Sequence, residues 1–222
     1  IYEWLCDRNG VRVSALLTTE EQLDLIKQIE PDLVVSVGYD YLVPEDVLSV
    51  PSGGCINVHP SLLPYNRGKS PNVWSIVEDT PAGVTMHYMD KEFDTGEIIA
   101  KREIETYFSD TGKILHERLE RAQFDLFTDV WPRIEADDIE TTPQSPEEGR
   151  YHSVDDFNEL CEIDPKKKYE AKDLLDILRA LTFPPFDNAY LELEGERYYV
   201  DITIRHEDET TDDEPGGYLT SY

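Results

Sequence analysis

The sequence predicts an α/β fold, a mostly parallel sheet layered with helices, followed by a small α+β unit. Three observations carry that prediction. Residues 33–37 and 55–59 are short apolar runs bounded by turn residues, with the length and β-branched content of buried strands. Residues 11–17 and 33–37 flank a helical stretch, 20–29, that places Leu23, Ile26 and Ile29 inward, and a strand, helix, strand order implies a parallel pair. The strongest helical signal spans 111–135, where Leu115, Leu119, Ala122, Leu126 and Val130 are spaced 4, 3, 4 and 4 apart.

In chain order, residues 1–9 read as an amphipathic helix stopped by Gly10. Because the chain opens on Ile1 inside that helix, a preceding strand and helix are expected to be missing. A short helix at 44–48 begins with Pro44 in its first turn, and 55–59 is the next strand. Residues 71–78 are helical, 83–89 alternate as a strand should, and 98–104 form another strand. Thr111 is the expected N-cap of the long helix, which closes a first domain over 1–135. Residues 136–150, rich in Asp, Glu, Thr and Pro, read as a linker. A smaller unit follows over 151–205. Its helix, 171–182, carries Leu174, Leu175, Leu178 and Leu181 on the apolar side and ends before Pro184 and Pro185. Residues 189–193 and 198–204 then form a hairpin across 194–197, and 206–222 read as an acidic disordered tail.

The chain has 48 acidic and 20 basic residues, a formal charge of −28. Acids occur in nearly every segment, so the whole surface repels itself unless salt screens it, which points to a halophile setting. Nucleic acid is a poor partner, because neutralising phosphates needs clustered Lys and Arg, and only 166–168 form a basic run. No apolar run reaches the roughly 18 residues that cross a bilayer, which excludes a membrane helix. Cys6, Cys55 and Cys161 are odd in number and far apart, without a CxxC pair. They read as packing residues in a reducing cytoplasm.

The chemistry is expected at the end of the 55–59 strand. Asn57 and His59 lie two apart, so an amide and an imidazole project from one face at the carboxyl end, where open α/β sheets place ligands. Pro60 then turns the chain out of the sheet, and Pro64, Arg67 and Gly68 keep the loop irregular. A polar pair at a strand end is more often structural than catalytic. Asp94-Thr-Gly96, a short loop after the next strand, is expected at the same end, where its carboxylate could orient His59 and favour its charged form. Alone, Asp94 would read as an ordinary turn residue.

Taken together, Asn57-Val-His59-Pro-Ser61-Leu-Leu-Pro64 with Arg67-Gly68, then Gly83-Val-Thr85 and Asp94-Thr-Gly96, closely resemble the N10-formyltetrahydrofolate-dependent formyltransferases. The resemblance covers residues 30–135 and implies a Rossmann-like formyltransferase domain. It implies that a primary amine attacks the formyl carbon of 10-formyltetrahydrofolate, with no metal required. Asn57 and protonated His59 would supply donors to the oxyanion, and Asp94 would hold His59 and move the amine's proton toward the departing folate nitrogen. By the same resemblance the pterin would enter a pocket between residues 39–43 and the loop 89–94, with Tyr39, Tyr41, Leu42, Met89, Asp90 and Asp94 as contacts. Arg67, Lys69 and Asn72 could face an anionic amine substrate.

Three acceptors compete. The second unit is small and acidic, unlike the basic barrel that holds tRNA in methionyl-tRNA formyltransferases, and glycinamide ribonucleotide formyltransferases end soon after the catalytic domain. Residues 173–185 with Asn188-Ala-Tyr190 and Tyr198-Tyr-Val200 are similar to the end region of sugar N-formyltransferases. A nucleotide-linked amino sugar is the expected acceptor and a homodimer the expected assembly. Hydrolysis by water, or a truncated module that only binds folate or nucleotide, are the other readings left open.

Overall fold

The computed structural model describes residues 1–15, 23–39 and 41–209. Helices α1 (Tyr2–Cys6) and α2 (Asp24–Ile29) lead to β1 (Val34–Ser36), α3 (Glu45–Leu48) and β2 (Cys55–His59). Next come β3 (Arg67–Gly68), α4 (Pro71–Val77), β4 (Ala82–Tyr88), β5 (Ile98–Ile104) and α5 (Gly112–Glu135). The chain continues through β6 (Tyr151–His152), α6 (Val154–Cys161), α7 (Ala171–Leu181), β7 (Tyr190–Leu193) and β8 (Glu196–Tyr199).

The main sheet has the order β1-β2-β4-β5. It is mixed: β1 runs parallel to β2, whereas β4 runs antiparallel to both β2 and β5. The α/β class is as predicted, with the parallel part of this sheet, among its described strands, confined to β1 and β2. Alternation divides β2 and β4 cleanly. Ile56, Val58, Val84 and Met86 pack with Leu115, Leu119, Ala122, Leu126 and Phe127 of α5 in one buried cluster. Each of these side chains other than Ala122 contributes about 1.5–3 kcal/mol by leaving water. The opposite face is left to Asn57, His59, Thr85 and His87. Helix α5 starts where its sequence signals, with the Thr111 hydroxyl accepting from the Ile114 N–H at 3.3 Å.

Several expectations are corrected. The predicted strand at 11–17 is absent over 11–15, where Val11 and Val13 pack on the core without a ladder partner among the described residues; 16 and 17 lie outside them. The helix predicted over 1–9 is only α1, because Asp7, Arg8 and Asn9 carry no apolar face, and Cys6 is exposed rather than packed. The helix predicted at 20–29 is α2, residues 20–22 lying outside the description. Pro44 is the N-cap of α3, one position before its first turn.

On the predicted apolar side of α7, Leu181 is buried in the core and Leu178 packs against it, but one position departs. Leu175 is exposed, while Asp176, Arg179, Ala180 and Leu181 are buried. The hairpin turns on two residues, Glu194 and Gly195, both with positive φ as a tight hairpin turn requires, so β8 begins earlier than predicted. Residues 136–150 are fastened to the sheet: Thr142 and Ile98 exchange backbone hydrogen bonds at 2.8 Å. A two-stranded parallel ribbon, β3 with β6, was not foreseen. Residues 210–222 of the predicted tail lie outside the description. No helix among the described residues is long and apolar enough to cross a membrane.

Candidate active site

Register builds the site. Asn57 pairs with His87 and His59 with Thr85 across β2 and β4, so two polar pairs share the face turned away from α5. Thr85 secures the loop beyond His59: its hydroxyl donates to the Ser61 carbonyl at 2.7 Å and accepts from the Leu63 N–H at 3.0 Å. Gln123 reaches up from α5 and donates to the Val58 carbonyl at 2.5 Å. The strand end that carries His59 is therefore held from both faces.

Asp94 reaches this face by a different route from the one expected. Because β4 runs against β2, its end at Tyr88 lies beside Ile56, away from His59. The loop from Met89 folds back over the sheet to return the carboxylate. Asp94 adopts a left-handed φ of 56°, and a Cβ on Gly96 would collide with the Tyr88 carbonyl, so glycine is required there. Gln144, in the segment read as a linker, clamps the loop: its amide donates to the carbonyls of Asp94 at 3.1 Å and Gly96 at 2.5 Å.

Asp94 Oδ1 is the focus of the cluster. Asn57 Nδ2 lies 3.3 Å from it, His87 Nε2 3.5 Å and His59 Nδ1 3.6 Å. Its Oδ2 accepts from the Gly68 N–H at 2.9 Å. Gly68 has a φ of 86°, and a Cβ there would strike the Tyr151 ring and the His152 carbonyl, so only glycine brings this N–H to Asp94. His59 Nε2 faces the Asn66 carbonyl at 3.4 Å.

Burial works to raise the Asp94 pKa, but the facing His59 and His87 rings and the Gly68 N–H prevail and hold the carboxyl below the usual carboxylate range. Burial likewise lowers the His59 pKa, against the pull of Asp94. Asp94 favours the charged form of His59, as expected, but desolvation outweighs the carboxylate and the net direction is downward. Both ring nitrogens nevertheless face acceptors, so either neutral tautomer leaves one acceptor without a proton, and only the imidazolium would satisfy both. The ring is placed between two acceptors, where a second proton would be satisfied.

The remaining predicted residues separate. Tyr39 and Met89 pack on the small cluster of Leu23, Ile26, Val43 and Val47. Tyr41 and Leu42 are exposed, Tyr41 edge-on to Tyr39 at 5.6 Å. Asp90 orders its own loop, accepting from the Thr95 hydroxyl at 2.6 Å and the Glu92 N–H at 3.0 Å. Arg67 and Lys69 are half-buried, and their N–H groups donate to the Arg150 and His152 carbonyls at 2.9 Å. Asn72 is corrected: it is buried and donates to the Gly112 carbonyl at 2.9 Å, so it joins two helices instead of facing a substrate.

Three features escaped the sequence. His87 shows only as an alternating polar residue after Thr85, and its proximity to Asn57 depends on the antiparallel register. Gln144 stands in an unpatterned segment. Tyr151, half exposed, stacks on Phe93 at 5.8 Å beside Gly68, forming an aromatic pair next to Asp94. Cys55 is inert, its thiol pushed up to about 11 by burial. Among the described residues no group of three His, Cys, Asp or Glu could hold a metal ion.

Comparison with known proteins agrees with this geometry. Residues 5–131 match the family model described as "Formyl transferase", and residues 156–206 match an N-formyltransferase dimerization C-terminal domain. A methionyl-tRNA formyltransferase from Acetivibrio thermocellus is 31% identical over 96% of this chain and 68% of its own length. The chain spans 39% of the length of a second methionyl-tRNA formyltransferase, from Syntrophus aciditrophicus, that is 39% identical over 55% of this chain. Among solved structures, a 4-N formyltransferase from Francisella tularensis superposes with a TM-score of 0.78 at 33% identity, covering 86% of this chain and 77% of its own. A formyltransferase from Anoxybacillus kamchatkensis, solved with UDP-4,6-dideoxy-4-formamido-L-AltNAc and tetrahydrofolate, is 42% identical with a TM-score of 0.55, covering 58% of this chain and 67% of its own. The chain belongs to the formyl transferase family.

Proposed function

We propose that this protein transfers the formyl group of 10-formyltetrahydrofolate to the amino group of a nucleotide-linked amino sugar. The observation that carries the reaction is the convergence of Asn57, His59 and His87 on one Asp94 oxygen within 3.3–3.6 Å, on a sheet face that the core leaves free. The amine nitrogen bonds to the formyl carbon, and the carbonyl oxygen takes up the negative charge. Asp94, directly or through a water, passes the amine's proton to His59. The imidazolium so formed is satisfied by Asp94 and the Asn66 carbonyl, and its charge stabilises the oxyanion. Collapse breaks the carbon bond to folate N10, which receives the proton, leaving a formamide and tetrahydrofolate. Arg67, Lys69 and the Phe93–Tyr151 pair border the acceptor side, and Tyr41, Leu42 and Met89 the pterin side.

Support for the sugar acceptor comes from the solved relatives named for sugar substrates and from the C-terminal match, which also favours a homodimer. A tRNA acceptor is the second reading, favoured by the methionyl-tRNA formyltransferase similarity along 96% of the chain. The charge of −28 opposes it, since tRNA binding needs a basic surface. Incubation in concentrated salt with 10-formyltetrahydrofolate and a panel of nucleotide-linked 3-amino and 4-amino sugars should give a formamido sugar. Formylmethionyl-tRNA as the sole product would reassign the acceptor. Folate discharge without any amine would make water the acceptor, and no discharge at all would end the formyl-transfer reading.

A further inference from the structure

We propose that Gln144 is a positioning residue for formyl transfer, one that sets where the Asp94 carboxylate stands by holding the backbone on both sides of Thr95. Its effect on rate rests on the formyl-transfer reading; its effect on the loop does not.

Residues 132–155 lie between the two family matches, which cover 5–131 and 156–206. That intervening chain nevertheless touches each piece of the site. The Arg150 and His152 carbonyls accept from the Arg67 and Lys69 N–H groups at 2.9 Å, on either side of Gly68. Gly149 passes so close to the loop beyond His59 that a Cβ would collide with the Pro64 carbonyl. Gln144 reaches the third piece, the Asp94 loop, and Thr142 anchors its approach by exchanging backbone hydrogen bonds with Ile98.

The orientation of the Gln144 amide follows from its partners. The carbonyls of Asp94 and Gly96 only accept, so the end that meets both, at 3.1 and 2.5 Å, is the nitrogen. Its Oε1 is buried without a hydrogen-bond partner among the described residues, which is unfavourable, so the amide is placed for its donors. Asp94 needs such a hold. It is a non-glycine residue with a φ of 56°, a left-handed conformation that the chain does not keep unaided. The partners of its Oδ1 stand at 3.3–3.6 Å, too loose to fix a carboxylate against a relaxing backbone. The bond between Asp90 and the Thr95 hydroxyl ties the loop to itself, whereas Gln144 ties it to the rest of the fold. A misplacement of about 1 Å in a reacting group can cost about 10²-fold in rate, which sets the scale of the effect.

Gln144→Met keeps a side chain of similar length and removes both donors. Steady-state kinetics should show kcat reduced by about 20-fold with the folate KM within about 3-fold. Placed on top of Asp94→Asn, the same substitution should cost less than about 3-fold more, because Gln144 acts through the carboxylate already lost. An unchanged kcat in the single variant, or losses that multiply in the double one, would overturn the proposal. Amide hydrogen exchange reads the displacement without turnover. The Gly68 N–H, bonded to Asp94 Oδ2, should exchange about 10-fold faster in the Met variant, while the Lys69 N–H, bonded to the His152 carbonyl in the same ribbon, should stay within about 2-fold. Unchanged exchange at Gly68, or an equal rise at both, would also overturn it. If the Met variant does not fold, Gln144→Glu keeps the shape, sets an oxygen against the two carbonyls and should give the same results. The exchange rates still decide the question if formyl transfer itself is not observed.

Discussion

Two clusters of buried charge share this chain, and they are built to opposite tolerances. At the junction of α5 and α7, Asp176 holds Arg179 Nε and Lys172 Nζ at 2.7 Å each, and Asp110 receives both Arg118 nitrogens at 2.7 Å. Arg179 also donates to the Asp110 and Tyr107 carbonyls at 3.0 and 3.3 Å. Around Asp94 Oδ1 the partners stand at 3.3–3.6 Å, at or beyond the limit of a good hydrogen bond. The junction pairs its carboxylates and cations at full hydrogen-bond distance in its resting state. The Asp94 cluster has two histidines and an amide around one oxygen, and it is complete only when another proton arrives. Tight pairs fasten the second unit to the first; loose ones leave a proton's place open.

The sharpest way to break the loose cluster is Asp94→Asn. Its kcat/KM should fall by about 10³-fold, comparable to losing a preorganised charge in other active sites. The pH profile provides a second reading. His59 has a lowered pKa, so the acid limb of kcat/KM in the parent should lie below about 6.5, the ordinary histidine value. Asp94 raises that pKa, so in the Asn variant the limb should move further down. Stability follows the same sign. Between the folded value and about 6.5 the unfolded chain binds a proton that the folded chain does not, so stability rises with pH through that window and is fully present above it. A parent limb above 7 would show that His59 rests charged and would remove the distinction between the two clusters.

The tight cluster should respond in stability and not in rate. Asp176→Ala strands the buried Arg179 guanidinium, which should cost about 3–5 kcal/mol in urea unfolding. The kcat/KM of the folded enzyme should stay within about 3-fold. Replacing both partners by apolar residues, Asp176→Leu with Arg179→Met, should recover most of the loss, because no charge is then left unpaired. A large fall in kcat/KM without a stability loss would place the junction in the catalytic machinery instead.

The contrast also marks what a sequence can disclose. Strand β2 and helix α5 were legible because apolar periodicity and an N-cap are local signals, and Asn57, His59 and Asp94 were legible through an ordered motif. The route of Asp94 was not, since alternation in β4 is the same whether the strand runs parallel or antiparallel. His87 was lost for the same reason: its neighbour across the sheet depends on register. Gln144 and the buried Arg179 of α7 depend on contacts more than 45 residues apart, Gln144 to Asp94 and Arg179 to Asp110, which no local pattern encodes. Leucines at helical spacing predicted an apolar seam on α7, and tertiary ion pairing took Asp176 and Arg179 inside in place of Leu175.

Asn72 gives the smallest effect and the cleanest division between the two regions. It follows the loop that leaves His59, and as a sequence it reads as a substrate contact. In the fold its amide donates to the carbonyl of Gly112, at the start of α5. Gly112 itself packs so closely on the Ala180 carbonyl of α7 that a Cβ would not fit, which places this bond in the tight region. The Gly112 carbonyl has a second lone pair engaged by its own helix, so Asn72→Ala does not leave a wholly unpaired acceptor. The expected cost is accordingly at the low end for a buried hydrogen bond, about 1 kcal/mol in urea unfolding. The acceptor KM should not change. A rise of about 10-fold in that KM, with stability intact, would return Asn72 to the substrate side and show that the boundary between the regions passes through α4.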